Sequence, residues 1–153
     1  APVSRRAWLA RAAGAVAGTV VTTAAVPTAA AALAAGLQPG AQKGPRMTIY
    51  KSPQCGCCQK WVMHVAAAGF QPAVNDTDDL DAIKRRYGIP ESLQSCHTAL
   101  VDGYLVEGHV PAADVKRLLK ERPKVKGIAV PGMPAGSPGM EVPSGQVDRY
   151  EVV

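Results

Sequence analysis

Aromatic side chains are scarce in this chain: one Phe, four Tyr and two Trp among 153 residues. Platforms on which nucleic-acid bases could stack are therefore lacking. A strong basic excess is lacking too. The formal net charge is +5, but Arg5, Arg6 and Arg11 precede every acidic residue in the chain. Beyond them stand 14 basic and 12 acidic residues, close to balance. Such a chain offers no basic field for a phosphate backbone. The local run of Lys116, Arg117, Lys120, Arg122, Lys124 and Lys126 reads as a solvated helix face and its exit. There is also no internal repeat.

Charge of either sign is missing altogether from residues 12–35, which are rich in Ala, Val, Gly and Thr. Ser4-Arg5-Arg6-Ala7-Trp8-Leu9 precedes this run, and Ala30-Ala31-Ala32-Leu33-Ala34-Ala35 closes it. Basic, apolar and small-residue regions in that order form an export signal. The paired arginines resemble a twin-arginine signal. We expect a signal over residues 1–34, a linker over 35–45 and a single domain over 46–153, placed in the periplasm with no membrane attachment after cleavage. A membrane anchor is the competing reading, since the run is long enough to span. Its small residues and Pro27 weigh against that. Roughly 110 residues remain for the fold, enough for one modest core.

What is present is a crowded turn, Lys51-Ser52-Pro53-Gln54-Cys55-Gly56-Cys57-Cys58-Gln59-Lys60-Trp61. It holds three of the four cysteines. Residues 47–50 read as a strand. Residues 58–68 read as a helix, with Cys58, Trp61, Val62, Val65 and Ala66 on one face and Gly69 ending it. A weaker strand follows over 70–74, where Pro72 marks an edge position. Thr77 can cap the next helix. Its first turn carries Asp78, Asp79 and Asp81, and its last carries Lys84, Arg85 and Arg86, an order matched to the helix dipole. Leu80, Ile83 and Tyr87 form its inner face.

Asp102-Gly103 between two apolar runs is a hairpin signal. Pro111 opens a third helix whose buried face is Val115, Leu118 and Leu119. Residues 127–153, rich in Gly and Pro, read as a wrapped loop or lid. The order β-α-β-α-β-β-α is that of a thioredoxin-like α/β domain, with Cys55 and Cys58 at the redox turn of such a fold.

A helix N-terminus stabilises a thiolate, which is both a nucleophile and a soft-metal ligand. A dithiol reductase needs two cysteines. A third, Cys57, favours a polynuclear thiolate site, although it could also be a small buried apolar residue. Cys96-His97 lies in the loop entering the third strand, which in this fold runs antiparallel beside the first. Cys96 is thereby brought within reach of Cys55 and Cys58. Thioredoxins place a proline there; Ser95-Cys96-His97-Thr98 has none. That favours a pocket of three or four sulfurs for Cu(I), with Zn(II) second. His97 and His109 are candidate imidazole ligands. Met133 and Met140 are candidate thioethers or apolar plugs over the site. His64 reads as a surface residue.

Together, Cys55-Gly56-Cys57-Cys58 with Lys60-Trp61, Ser95-Cys96-His97-Thr98, Glu107-Gly108-His109-Val110-Pro111 and the segment Gly132-Met133-Pro134-Ala135-Gly136-Ser137-Pro138-Gly139-Met140-Glu141 resemble the CopG-type family. These are exported bacterial copper-resistance proteins with a thioredoxin-like fold. The resemblance covers residues 46–153. It implies copper binding by Cys55, Cys57, Cys58 and Cys96. The expected metal set is Cys55, Cys57, Cys58, Cys96, His97 and Met140, with copper ions and other copper-handling periplasmic proteins as partners. The competing readings are a thiol–disulfide oxidoreductase, with Cys55 as nucleophile and Cys58 as resolver, and a structural zinc site.

Overall fold

In the computed structural model, which describes residues 44–153, β1 (Arg46–Lys51) is the hub of a five-stranded sheet. Its side chains alternate. Met47, Ile49 and Lys51 are buried, whereas Thr48 and Tyr50 are half-buried on the opposite face. β1 pairs in parallel with β2 (Gln71–Asp76) and antiparallel with β3 (His97–Val101). β3 forms a hairpin with β4 (Tyr104–Glu107), and β4 pairs in parallel with β5 (Gly127–Ala129). The strand order is β2-β1-β3-β4-β5. Three helices interleave with the strands: α1 (Gly56–Ala67), α2 (Leu80–Tyr87) and α3 (Ala112–Glu121). The mixed α/β class and the expected element order are both present, with β5 added at the end.

Local chemistry accounts for most boundaries. The hairpin turns at Asp102 and Gly103, both left-handed at φ 52° and 89°, as an Asp-Gly turn of type I′ requires. β2 lies at the sheet edge, where Pro72 costs no inner ladder bond. α2 ends on Gly88, again left-handed. Its N-cap is Asp79, whose side chain accepts from Ala82 N at 2.9 Å. Thr77, the expected cap, instead accepts from the Asp79 amide at 3.1 Å. The strand expected over 70–74 runs two residues further, and α1 starts two residues earlier than expected, because Cys55 caps it.

The core is a cluster on one face of the sheet. Met47 and Ile49 of β1, Ala99 and Val101 of β3 and Val106 of β4 meet Trp61, Val62 and Val65 of α1 and Ala112 and Val115 of α3. Full burial of such side chains contributes about 1.5–3 kcal/mol each. Ala66, expected on the inner face of α1, is exposed, since it lies one step round the helix from Val65. α2 covers the other face, where Tyr87 approaches Tyr50 with ring centroids 6.3 Å apart.

The stretch expected to be wholly loop begins with β5 and then wraps. The extended Ala129 exchanges two backbone hydrogen bonds with Val153 at 2.8 and 3.0 Å. Among the described residues no helix is long and apolar enough to cross a membrane. The leading segment expected to be an export signal lies outside the described residues.

Candidate metal centre

The site forms where the end of β1 turns into α1 and faces the start of β3. Cys55 is the N-cap of α1. Its sulfur accepts from Cys58 N at 3.3 Å, and its amide donates to Ser52 O at 3.1 Å. The helical turn that follows brings Cys58 back beside Cys55, and the two form a disulfide with a Cα–Cα separation of 5.3 Å. Cys57 and Cys96 are free thiols. Cys57 lies between the two halves, its sulfur 3.5 Å from Cys55 Sγ and 4.0 Å from Cys96 Sγ. Cys58 Sγ lies 3.5 Å from the Cys96 carbonyl oxygen. The four sulfurs all lie within 4.8 Å of one another. Cys57 is thus not a buried filler; it is half-exposed and points at sulfur on both sides.

β3 supplies the other half. Its antiparallel pairing sets His97 opposite Lys51, at the end of β1 where the turn begins. Cys96 precedes that pair. Burial, then the neighbouring Cys57, push the Cys96 thiol up to about 12. It is therefore protonated at neutral pH until something displaces the proton.

Two imidazoles complete the surroundings. His109 is fully buried; its Nδ1 donates to Pro138 O at 2.8 Å, so its Nε2 carries a lone pair 3.1 Å from Cys96 Sγ. His97 is also fully buried, with Nδ1 3.4 Å from Cys96 Sγ and Nε2 without a hydrogen-bond partner among the described residues. Burial holds His97 at about 3, helped by His109 and Lys84, and burial lowers His109 too. Both rings are neutral at physiological pH. Trp61 packs on His97 at 4.4 Å between centroids and donates its indole N–H to Val110 O at 2.9 Å.

The C-terminal loop closes over the turn. Gly139 is left-handed (φ 87°), and a Cβ there would lie 2.8 Å from the Cys57 carbonyl oxygen and 2.9 Å from Trp61 N. No other residue type fits so close to the start of α1. Met140, next in sequence, is half-buried. Met133, expected as a thioether or plug, is 55% exposed at the far end of the loop. Glu141 Oε1 accepts from Gly139 N at 2.8 Å, which holds its carboxyl below the usual range.

Two features escaped sequence reasoning. His64, read as a surface residue, is half-buried; its Nε2 accepts from Ala112 N at 3.0 Å and so caps α3. Its position, three residues beyond Trp61 on α1, was the available signal. Lys84, read as a dipole-compensating charge, is buried and paired with Glu107 on β4. Glu107 also accepts from Ser95 N at 2.7 Å and Thr98 Oγ1 at 2.6 Å. This carboxylate therefore fixes both flanks of Cys96-His97. Lys84 falls four residues after Leu80, on the inner stripe with Ile83 and Tyr87, and that phase was its signal.

Residues 93–140, which include Cys96, both imidazoles and the closing loop, match a family model described as a protein of unknown function, DUF411. No curated protein matches the chain. Among solved structures the chain is similar to copper resistance protein CopG in its form 2, at 46% identity and a TM-score of 0.67. Form 1 of the same protein gives 46% identity and a TM-score of 0.66. In both cases the match covers 71% of this chain and 86% of the other. At that identity and coverage, the chain belongs to the CopG copper-resistance family.

Proposed function

We propose that this protein is a periplasmic copper-binding protein that holds Cu(I) in a thiolate cluster and serves copper resistance. The carrying observation is the convergence of Cys55, Cys57, Cys58 and Cys96, three from one turn and one from the loop entering β3, 38 residues beyond Cys58. Thiolate is the ligand that selects Cu(I). Reduction of the Cys55–Cys58 bond frees two sulfurs beside two that are already free. Cys57 then bridges the halves, with His97 and Met140 at the margin. The Cys96 proton leaves when the metal arrives, as metal binding to a thiol requires. The copper-resistance family supports copper as the cargo. The element order and the β3-beside-β1 pairing support the thioredoxin-like assignment. We read residues 1–34 as a twin-arginine export signal, 35–45 as linker and 46–153 as the metal-binding domain. Buffering, transfer between copper-handling proteins and redox conversion are all compatible with this site.

Anaerobic Cu(I) titration of the fully reduced protein tests the proposal. Cys96→Ser is expected to lower the copper bound per chain by more than one. A smaller loss, with disulfide-reductase activity retained, overturns the cluster. The Cys55–Cys58 disulfide favours a second reading, a periplasmic thiol–disulfide oxidoreductase in which Cys55 is the nucleophile and Cys58 the resolver. Insulin reduction separates the two readings: a reductase turns over, whereas a copper buffer does not.

A further inference from the structure

We propose that Glu107 is a positioning residue for the Cys96 thiol: its buried carboxylate ties both flanks of Cys96-His97 to β4, and this tie sets how firmly copper is held. The copper part of the claim rests on the thiolate-cluster reading above; the tether itself does not.

Cys96 lies outside the sheet ladder. β3 begins at His97, whose pairing with Lys51 is the last of the β1–β3 register. The thiol that meets Cys57 at 4.0 Å is therefore carried by a loop, and backbone ladder bonds do not fix it. Glu107 supplies the missing ties. Its Oε1 accepts from Ser95 N at 2.7 Å and from Lys84 Nζ. Its Oε2 accepts from Thr98 Oγ1 at 2.6 Å, and Thr98 Oγ1 in turn accepts from Lys84 Nζ at 3.2 Å. Ser95 and Thr98 are thus fixed to one carboxylate, and Cys96-His97 is the span between them. The next residue of the chain adds to the hold. Gly108 N donates to His97 O at 3.0 Å, and a Cβ at Gly108 would lie 2.5 Å from Ser95 Cβ. The loop therefore packs directly on the segment that carries Glu107.

A buried ion pair is weak evidence of stabilisation, since well-packed apolar side chains of similar volume often serve as well or better. A carboxylate does what they cannot. It accepts from an amide on one side of the thiol and from a hydroxyl on the other while staying inside the domain. Bonds of this charge-assisted kind are the short, strong ones. Lys84 keeps the carboxylate ionised partner to partner, so the tie survives burial. Groups behind a ligand that fix its orientation change metal affinity by about 10–100-fold when removed. Glu107 has that place with respect to Cys96.

The test uses the full chain with the Cys55–Cys58 disulfide confirmed by mass spectrometry, so that Cys57 and Cys96 are the free thiols. The probe is dibromobimane, a short reagent that fluoresces once it bridges two thiols. Lys84 is changed to Met in both variants so that no ammonium is left unpaired. Lys84→Met with Glu107→Leu removes both ties, and bridging of Cys57 to Cys96 should slow about tenfold. Lys84→Met with Glu107→Gln keeps an acceptor for Ser95 N and a polar partner for Thr98, and should restore the parental rate. After reduction, Cu(I) affinity measured by chelator competition should follow the same order. Bridging in the Leu variant as fast as in the parent, no restoration by Gln, or readouts that simply follow urea stability would each overturn the positioning role. Amide exchange in the unmutated chain keeps the test independent of mutant folding. The Ser95 N–H should be protected although it lies outside the ladder; exchange at the rate of an unstructured amide refutes the tether. If the parent takes up no Cu(I), the cluster reading fails while bridging and exchange still decide the tether. If the parent takes up Cu(I) and both variants hold it alike, the positioning role alone fails.

Discussion

The Lys84 ammonium sits against the Glu107 carboxylate with their side chains only 5% and 3% exposed. The pair joins α2 to β4 beneath the loop that carries Cys96. A buried charge whose partner is removed costs about 3–5 kcal/mol, more than the pair itself contributes. Lys84→Met is therefore expected to destabilise the domain by about 3–5 kcal/mol in urea unfolding. The double change Lys84→Met with Glu107→Leu should recover only part of that loss, because it also takes the acceptor from Ser95 N and Thr98 Oγ1. A loss below about 1 kcal/mol in the single variant would mean the pair is hydrated in solution.

His64 caps α3 from a neighbouring helix, and only its neutral form can accept the Ala112 N–H. Burial lowers its pKa, while Glu141 pulls the other way. The unfolded chain therefore takes up a proton before the folded one does. The stabilisation is fully present above about pH 6.5 and is lost as pH falls below it. His97 and His109 act with the same sign. Thermal melts between pH 7.5 and 5 should show falling Tm. His64→Ala should cost about 1 kcal/mol at pH 7.5, as the loss of a cap does, and should reduce the slope without abolishing it. An unchanged slope would remove His64 from the account.

Gly139 touches the first turn of α1 through backbone alone. Gly139→Ala places a methyl against the Cys57 carbonyl and the Trp61 amide, atoms that cannot yield, and strains a left-handed residue as well. The expected cost is about 1–3 kcal/mol. The closing loop should lift, so alkylation of Cys57 by iodoacetamide should accelerate. Equal rates in variant and parent would show that the loop does not guard the turn.

Metal removal gives the sharpest contrast with a structural zinc site. The core of Met47, Ile49, Trp61, Val65, Val101, Val106 and Val115 is built of apolar side chains, none of them a candidate metal ligand. Chelation of the purified protein is expected to leave the far-UV circular dichroism and the cooperative melt in place. An unfolded apo form would support structural zinc instead.

Much of this arrangement was legible in the sequence, for identifiable reasons. Cys55 and Cys58 could be placed because a strand over 47–50 and a helix over 58–68 leave only one turn for them. The Asp102-Gly103 hairpin could be placed because few residues tolerate two left-handed positions in succession. Cys96 followed from the pairing of β3 with β1. Other features depend on partners distant in the chain. β5 is three residues long with no periodicity, and it exists because β4 and Val153 bond to it. Lys84 looks like an ordinary last-turn charge until Glu107, 23 residues later, arrives beneath it. His109 acquires its ligand-like tautomer only from Pro138, 29 residues downstream.

The meeting of Cys57 with Cys96 spans 39 residues and joins two elements that touch there through sulfur. Three cysteines ride on the first turn of α1, and the fourth is anchored to β3. A cargo held across this seam is gripped by the relative position of a helix and a strand, not by any one segment. A shift of an ångström or two between them loosens the grip while both elements stay folded.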